Sequence, residues 1–386
     1  MQELHVETAE QLTRLCELIS GSQWLALDTE FVREKSYYPN FCLLQVSNGE
    51  VAASVDPLSL DELSPLLDII YDPKVIKIFH AGRQDLEIFH DLWSKLPTPL
   101  FDTQLAATLL GLGDQVGYGN LVKQLLGIQL EKGHARTDWS RRPLQQDQLR
   151  YALDDVIYLG EIYLKLEASL RKLGRESWLV EDFEMLASPD TYIISPDKAW
   201  QRIKGRQYLK GVQLAVLQTL AGWRESEAQR ANKPKRWILK DEVLTELSKR
   251  QPKDIKQLER IRGLETGTIG HKGDTLLKLI SDARQLPKEQ WPEEKQIPPR
   301  LNSNQQAIAD LLVCSLRLLA KTNNITHTAL ATRKELEKMV TGARDLEILH
   351  GWRRALAGDD LLKVLEGKLL PVIKDGRIEL EQRDSA

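Results

Sequence analysis

The sequence predicts an α/β domain with a mixed sheet, followed by two all-helical segments. Three observations predict it. Short apolar runs alternate with helical periodicity up to about residue 173. From residue 208 onward the apolar spacing is helical, and no convincing strand follows. Two breaks divide the chain. One runs from Ser188-Pro189-Asp190 to Ser195-Pro196-Asp197 and reads as a linker. The other, Leu286 to Pro299, holds Pro287, Pro292, Pro298 and Pro299, which no helix tolerates. Domains are therefore expected over 1–190, 207–288 and 300–375.

Leu12, Leu15, Cys16 and Ile19 mark one face of a helix over 7–19, with Thr8 as its cap. Leu25-Ala26-Leu27-Asp28 reads as a buried strand. Phe41 to Val46 and Val51 to Val55 flank Asn48-Gly49, a hairpin signal, so three short antiparallel strands open the domain. A helix over 60–70 and a strand over Val75 to Phe79 follow. Helices are expected over 84–94, 102–110 and 119–126, with a short strand at Leu100-Phe101. One long helix from about 146 to 173 closes the domain. The segments 208–285 and 301–370 are weakly alike: Leu239 to Leu244 has a counterpart in Leu330 to Leu336, and Ile255 to Leu258 in Ala343 to Leu346. They read as a diverged tandem repeat.

A length of 386 residues suits two or three domains, and 42% hydrophobic with 28% charged residues is ordinary for a globular chain. The net charge of −3 hides an asymmetry. Residues 197–290 hold 21 Lys and Arg against 12 Asp and Glu, so the remainder carries about −12. That pattern suits an acidic, metal-dependent unit beside a polyanion-binding one. Cys16, Cys42 and Cys314 are scattered, which argues against structural zinc and a disulfide framework. No signal peptide or bilayer-length apolar run is visible, so a cytoplasmic protein without membrane contact is expected. No G-x-x-x-x-G-K-[ST] occurs, which argues against a nucleotide cofactor.

The chemistry centres on Asp28-Thr29-Glu30-Phe31. In a strand, Asp28 and Glu30 project to one face, and two anions that close call for a cation such as Mg²⁺ or Mn²⁺. A lone D-x-E is common, and a strand running into an acidic turn explains it equally well. Phe79-His80-Ala81-Gly82-Arg83-Gln84-Asp85 then places Asp85 in the first turn of a helix, where an acid also suits the helix dipole. On the closing helix Tyr151 and Asp155 share a face, while Asp154 is turned about 100° away.

In this order the motifs resemble the DEDD exonuclease superfamily in its tyrosine branch. The histidine branch would carry His where Arg150 stands. Asp28 to Phe31, Leu43-Leu44-Gln45, His80 to Asp85 and Thr137-Asp138-Trp139-Ser140-Arg141-Arg142-Pro143-Leu144 look like the ribonuclease D family specifically. The helical modules are similar to HRDC domains, the second degenerate. The resemblance implies a ribonuclease H-like fold for residues 1–190 and a metal-dependent 3′→5′ exoribonuclease. It would release 5′-mononucleotides and trim 3′ ends of tRNA precursors and other structured RNAs; a monomer is expected. The resemblance further implies two divalent metals, Mg or Mn. Asp28, Glu30 and Asp155 would hold one beside the attacking water. Asp28 would bridge to the second, near the departing 3′ oxygen, with Asp85 close by. Tyr151, with an ordinary pKa near 10, would position water rather than take its proton.

Further substrate contacts are expected from Thr29, Phe31, Gln45, His80, Gln84, Trp139 and Arg141. Phe31 would stack on terminal bases, Gln45 and His80 would reach the terminal ribose, and the Trp139–Arg142 segment would offer an aromatic plane and phosphate contacts. Core packing explains Phe31 and Trp139 equally well. In the first helical module, Lys235, Arg236 and Lys272 are expected to meet RNA phosphates. Lys272 lies in a glycine-rich run, Thr266 to Gly273, read as a turn before a helix starting near Asp274. Truncation after about residue 290 is expected to spare the chemistry. The rival readings are a DNA 3′→5′ exonuclease and an inactive nucleic-acid-binding helicase accessory protein. All four carboxylates and Tyr151 are present, which counts against an inactive fold.

Overall fold

Six strands, β1 (Gln2–Val6), β2 (Trp24–Val32), β3 (Asn40–Ser47), β4 (Val51–Val55), β5 (Ile76–Phe79) and β6 (Leu100–Asp102), form one mixed sheet in the order β1-β4-β3-β2-β5-β6. The structure is a computed structural model and describes residues 1–131, 133, 137–293 and 300–383. β1 pairs parallel with β4, and β5 lies parallel between β2 and β6; β3 and β4 are antiparallel. The edge strand β1 escaped the sequence reading. Only five residues long, it is recruited by pairing with β4, which no local pattern announces.

Around the sheet lie α1 (Ala9–Ile19), α2 (Ser64–Ile70), α3 (Arg83–Trp93), α4 (Thr103–Leu109), α5 (Tyr118–Leu126), α6 (Gln146–Ile157), α7 (Leu159–Leu173) and α8 (Val180–Leu186). Thr8 caps α1 in a reciprocal capping box with Gln11. The single helix expected over 146–173 is two, divided at Tyr158. Just beyond the break, Gly160 lies so close to Trp24 that an added Cβ would sit 2.1 Å from the indole ring. Only glycine lets α7 bear down on the sheet there.

The chain forms two compact units. One comprises Met1–Glu30, Cys42–Thr191 and the described residues of Pro299–Ala386; the other comprises Phe31–Phe41 and Tyr192–Pro298. The second unit contains α9 (Val212–Arg230), α10 (Lys235–Ile238), α11 (Asp241–Arg250), α12 (Ile255–Leu258) and α13 (Thr266–Gln285). Trp200 and Ala199 bury into its core with Leu217 and Leu244, so the stretch read as a linker ends as folded structure. Asn232 accepts hydrogen bonds from the backbone N–H groups of Tyr37 and Tyr38, and the Tyr37 hydroxyl donates to buried Glu225 at 2.5 Å. The glycine-rich run Thr266 to Gly273 is not a turn. It forms the first two turns of α13, because Ile269 and Leu276 on that helix bury in the core.

The C-terminal segment contributes α14 (Ser303–Thr322), α15 (His327–Leu330), α16 (Arg333–Val340), a helix over Asp359–Leu365 and a hairpin of β7 (Leu369–Lys374) and β8 (Arg377–Gln382). The hairpin corrects the expectation of no strand beyond residue 200. Pro371 disguises β7, since proline suits only an edge strand, and a two-stranded ribbon has only edges. This segment shares one core with the sheet domain: Ala26, Ile78, Phe101, Leu153 and Ile162 are continuous with Leu312, Leu316, Leu336 and Ile348. Burial of each large side chain there is worth about 1.5–3 kcal/mol. Arg175 donates to the carbonyls of Leu109, Asn323 and Asn324, and Trp178 stacks on Trp352 with ring centroids 4.5 Å apart.

Candidate active site

β2 carries Asp28 and Glu30 on the same face as buried Ala26. α6 brings Asp155 opposite, and the three carboxylates each offer an oxygen within 4.8 Å of the others. Asp85, in the first turn of α3, is buried. Its Oδ1 accepts from the backbone N–H of Thr29 (3.1 Å) and from the Thr29 hydroxyl (2.5 Å). Thr29 thus ties the fourth acid to the strand that carries the first two.

The turn into α3 is built for this placement. A Cβ on Gly82 would lie 2.4 Å from the Cβ of Phe79, so the strand-to-helix turn has no room for a side chain. Asp102 accepts from the N–H groups of Ala81 (3.3 Å) and Gly82 (2.9 Å), and it also caps α4 through Gln104 and Leu105. Sequence reasoning missed Asp102. An Asp between a short strand and a helix was the available signal. His80 is engaged within the protein, Nδ1 with the Thr103 hydroxyl (2.9 Å) and Nε2 with the Val116 carbonyl (3.0 Å).

Burial, and after it the crowding of the acids, governs their protonation. Burial, then Asp85, Asp155 and Glu30, push Asp28 well above the usual carboxylate range. Burial, then Asp155 and Asp85, raise Glu30 to about 9. Burial lifts Asp85 to about 6 although its bonds to Thr29 work against it. Asp155 reaches about 7 through burial, then Asp154 and Asp85. Four such carboxyls offer only hard oxygen donors, and a bound divalent cation would relieve both the burial cost and the repulsion. The donor set fits Mg²⁺ or Mn²⁺ chemistry.

Tyr151 lies one turn before Asp155 on α6. Burial, then Asp155 and Glu30, raise its phenol above its ordinary value, so it keeps its proton at neutral pH. Its ring lies 6.2 Å from that of Trp139, which is 2% exposed. The Trp139 segment is locked by Arg142, whose guanidinium donates to both oxygens of Asp56 (2.5 and 2.8 Å) and to the carbonyls of Cys42 and Trp139 (both 2.7 Å). The Trp139 Nε1 and both amide atoms of Gln45 are buried without a hydrogen-bond partner among the described residues. Arg141 is exposed and pairs with Asp138 at 3.0 Å. Gln84 is exposed in the first turn of α3, and Phe31 is half-buried in β2. A cavity of about 180 Å³ beside Tyr151 and Asp155 is also lined by Leu130, Asp147 and Arg150.

The remaining expected substrate contacts, Lys235, Arg236 and Lys272, belong to the second unit. There they face the carboxylates of Glu225 (3.2 Å), Glu242 (3.9 Å) and Glu227 (3.2 Å) respectively.

A family model described as 3′-5′ exonuclease matches residues 4–171, and one for the HRDC domain matches 213–280. A ribonuclease D of Sphingobium indicum is 41% identical over 97% of both chains. One of Bartonella henselae is 37% identical over 99% of this chain and 94% of its own length. The chain belongs to the ribonuclease D family. The family's metal-dependent, hydrolytic 3′–5′ exoribonuclease chemistry accords with the acidic cluster. The crystal structure of Escherichia coli RNase D, described as an exoribonuclease involved in structured RNA processing, superposes with a TM-score of 0.82 at 31% identity. It covers 95% of this chain and 99% of that one.

Proposed function

We propose that this ribonuclease D-family chain removes 5′-mononucleotides one at a time from the 3′ ends of tRNA precursors and other structured RNAs. The observation that carries the reading is the convergence of Asp28, Glu30 and Asp155, with Asp85 tethered through Thr29 and Tyr151 one turn from Asp155. In the proposal two Mg²⁺ or Mn²⁺ ions are held by Asp28, Glu30, Asp85 and Asp155. When bound, they would neutralise charge on the attacking and departing oxygens of the phosphodiester. Tyr151, protonated at working pH, donates a hydrogen bond that aims the nucleophilic water. Trp139 backs the Tyr151 ring. Among the described residues no helix is long and apolar enough to cross a membrane. The proposal includes action as a cytoplasmic monomer, with an exonuclease domain over 1–190, an HRDC domain over 207–288 and a degenerate copy over 300–375.

A time course on 5′-labelled, 3′-extended tRNA and on matched single-stranded DNA, with Mg²⁺, Mn²⁺ or EDTA, tests this reading. A ladder shortening by one nucleotide, faster on RNA and abolished by EDTA, is expected. Preference for DNA would favour the rival exonuclease reading, and binding without cleavage under any metal would leave an inactive fold.

A further inference from the structure

A groove of about 1000 Å³ runs between α14 and the tip of the β7–β8 hairpin. Arg317 and Lys321, one helical turn and about 6 Å apart, stand on its α14 wall, and Arg377 stands opposite at the start of β8. Leu318 and Ile378 supply apolar surface between them. The three cations are exposed, and none pairs with a carboxylate or accepts any other partner among the described residues. Arg333 and two carboxylates, Asp310 and Glu379, also line the groove, but Arg333 is neutralised there by Asp310 and by Glu337, as Lys363 is by Asp360 and Lys374 by Glu381 elsewhere on the segment. The cations first expected to meet RNA, Lys235, Arg236 and Lys272, also face carboxylates.

From the gathering of three unpaired cations in one groove we infer that the α14–hairpin groove is a docking surface for the sugar–phosphate backbone of single-stranded RNA. The inference rests on the RNA substrate proposed above. Charge complementarity selects the occupant. Unpaired cations a helical turn apart suit successive phosphates of one strand, and the apolar strip tolerates sugars and base edges without reading sequence. The groove holds no aromatic side chain for stacking, so binding there is electrostatic and steeply salt-dependent. The C-terminal segment thereby gains a role beyond packing.

The test compares the full-length protein with the triple variant Arg317→Gln/Lys321→Gln/Arg377→Gln. A control variant, Lys172→Gln/Lys334→Gln/Lys338→Gln, makes the same charge change outside the groove. Affinity for poly(U) is measured across a salt series without divalent metal, and nucleotide release from a uridine trinucleotide is measured with Mg²⁺. The groove variant is expected to bind poly(U) at least tenfold more weakly at low salt. Its log–log salt slope should be shallower by about 2, at roughly 0.7 per lost cation, with trinucleotide turnover unchanged. An unaltered slope, or an equal loss in the control, overturns the groove. Wild-type protein that neither binds poly(U) nor cleaves the trinucleotide overturns the RNA reading as well.

Discussion

Tyr151 and Asp56 illustrate opposite uses of burial. Burial and the neighbouring Asp155 keep the Tyr151 phenol protonated, which makes it a donor to water and a poor base. Tyr151→Phe keeps the ring against Trp139 and removes only the donor. It should lower kcat by about 100-fold with metal affinity unchanged in a calorimetric titration; an unchanged kcat would reduce Tyr151 to packing. Burial disfavours an ionised Asp56, yet the Arg142 guanidinium and the N–H of Leu58 hold its carboxyl below the ordinary carboxylate range. Its stabilisation is therefore present above about pH 4 and lost as pH falls through the lowered value. Arg142→Ala strands that carboxylate and should cost about 3 kcal/mol or more at pH 7, read from urea midpoints. The difference should shrink as the pH falls below about 4. A constant difference would mean that Arg142 acts through its bonds to the Cys42 and Trp139 carbonyls instead.

At the scale of elements, the β5–α3 turn is the joint on which the fourth acid depends. Gly82→Ala would drive a Cβ into Phe79. About 2 kcal/mol of stability should be lost, with kcat falling further than stability alone explains, because α3 carries Asp85. Thermal melts and turnover on one preparation separate the two effects. This stretch was legible as a site because strand, turn and acid follow one another within a few residues. Asp102, which holds the turn through Ala81 and Gly82, was not, because its partners lie about twenty residues away along the chain. The β7–β8 hairpin was hidden for a local reason. Asp375-Gly376 is a turn signal, but a proline within a short run, here Pro371, disfavours a strand beside it.

For the whole molecule, the acid cluster and the shared core make distinct predictions. The raised carboxyls bind protons in the folded state that the unfolded chain releases. Their stabilisation is full below the ordinary range near pH 4 and is lost as pH rises through about 6, 7 and 9 for Asp85, Asp155 and Glu30. Metal-free protein should therefore lose Tm between pH 5 and 9 (the window those values define), and Mg²⁺ should restore most at the alkaline end. Glu30→Gln should flatten the metal-free profile; an equally steep profile would place the pH dependence elsewhere. The core shared by Phe101, Ile162, Leu316 and Ile348 argues against the clean truncation near residue 290 that the sequence suggested. Removing the chain from about residue 300 would expose Trp178 and strip Arg175 of two carbonyl partners. The fragment should aggregate or melt well below the full chain in calorimetry. Trp352→Ala alone should cost about 2 kcal/mol.

The sequence by itself determined the acids and their order. Strand and helix periodicities are local, and they alone put Asp28 with Glu30 and Tyr151 with Asp155. The family followed from the same residues. Tertiary structure decided how the remaining charges are spent. Arg142 neutralises a buried Asp56, Lys235 and Lys272 face glutamates, and Arg317, Lys321 and Arg377 stay unpaired. It also decided that the last segment joins the core of the sheet domain. A pairing depends on which surfaces meet, and sequence spacing carries that information only within an element.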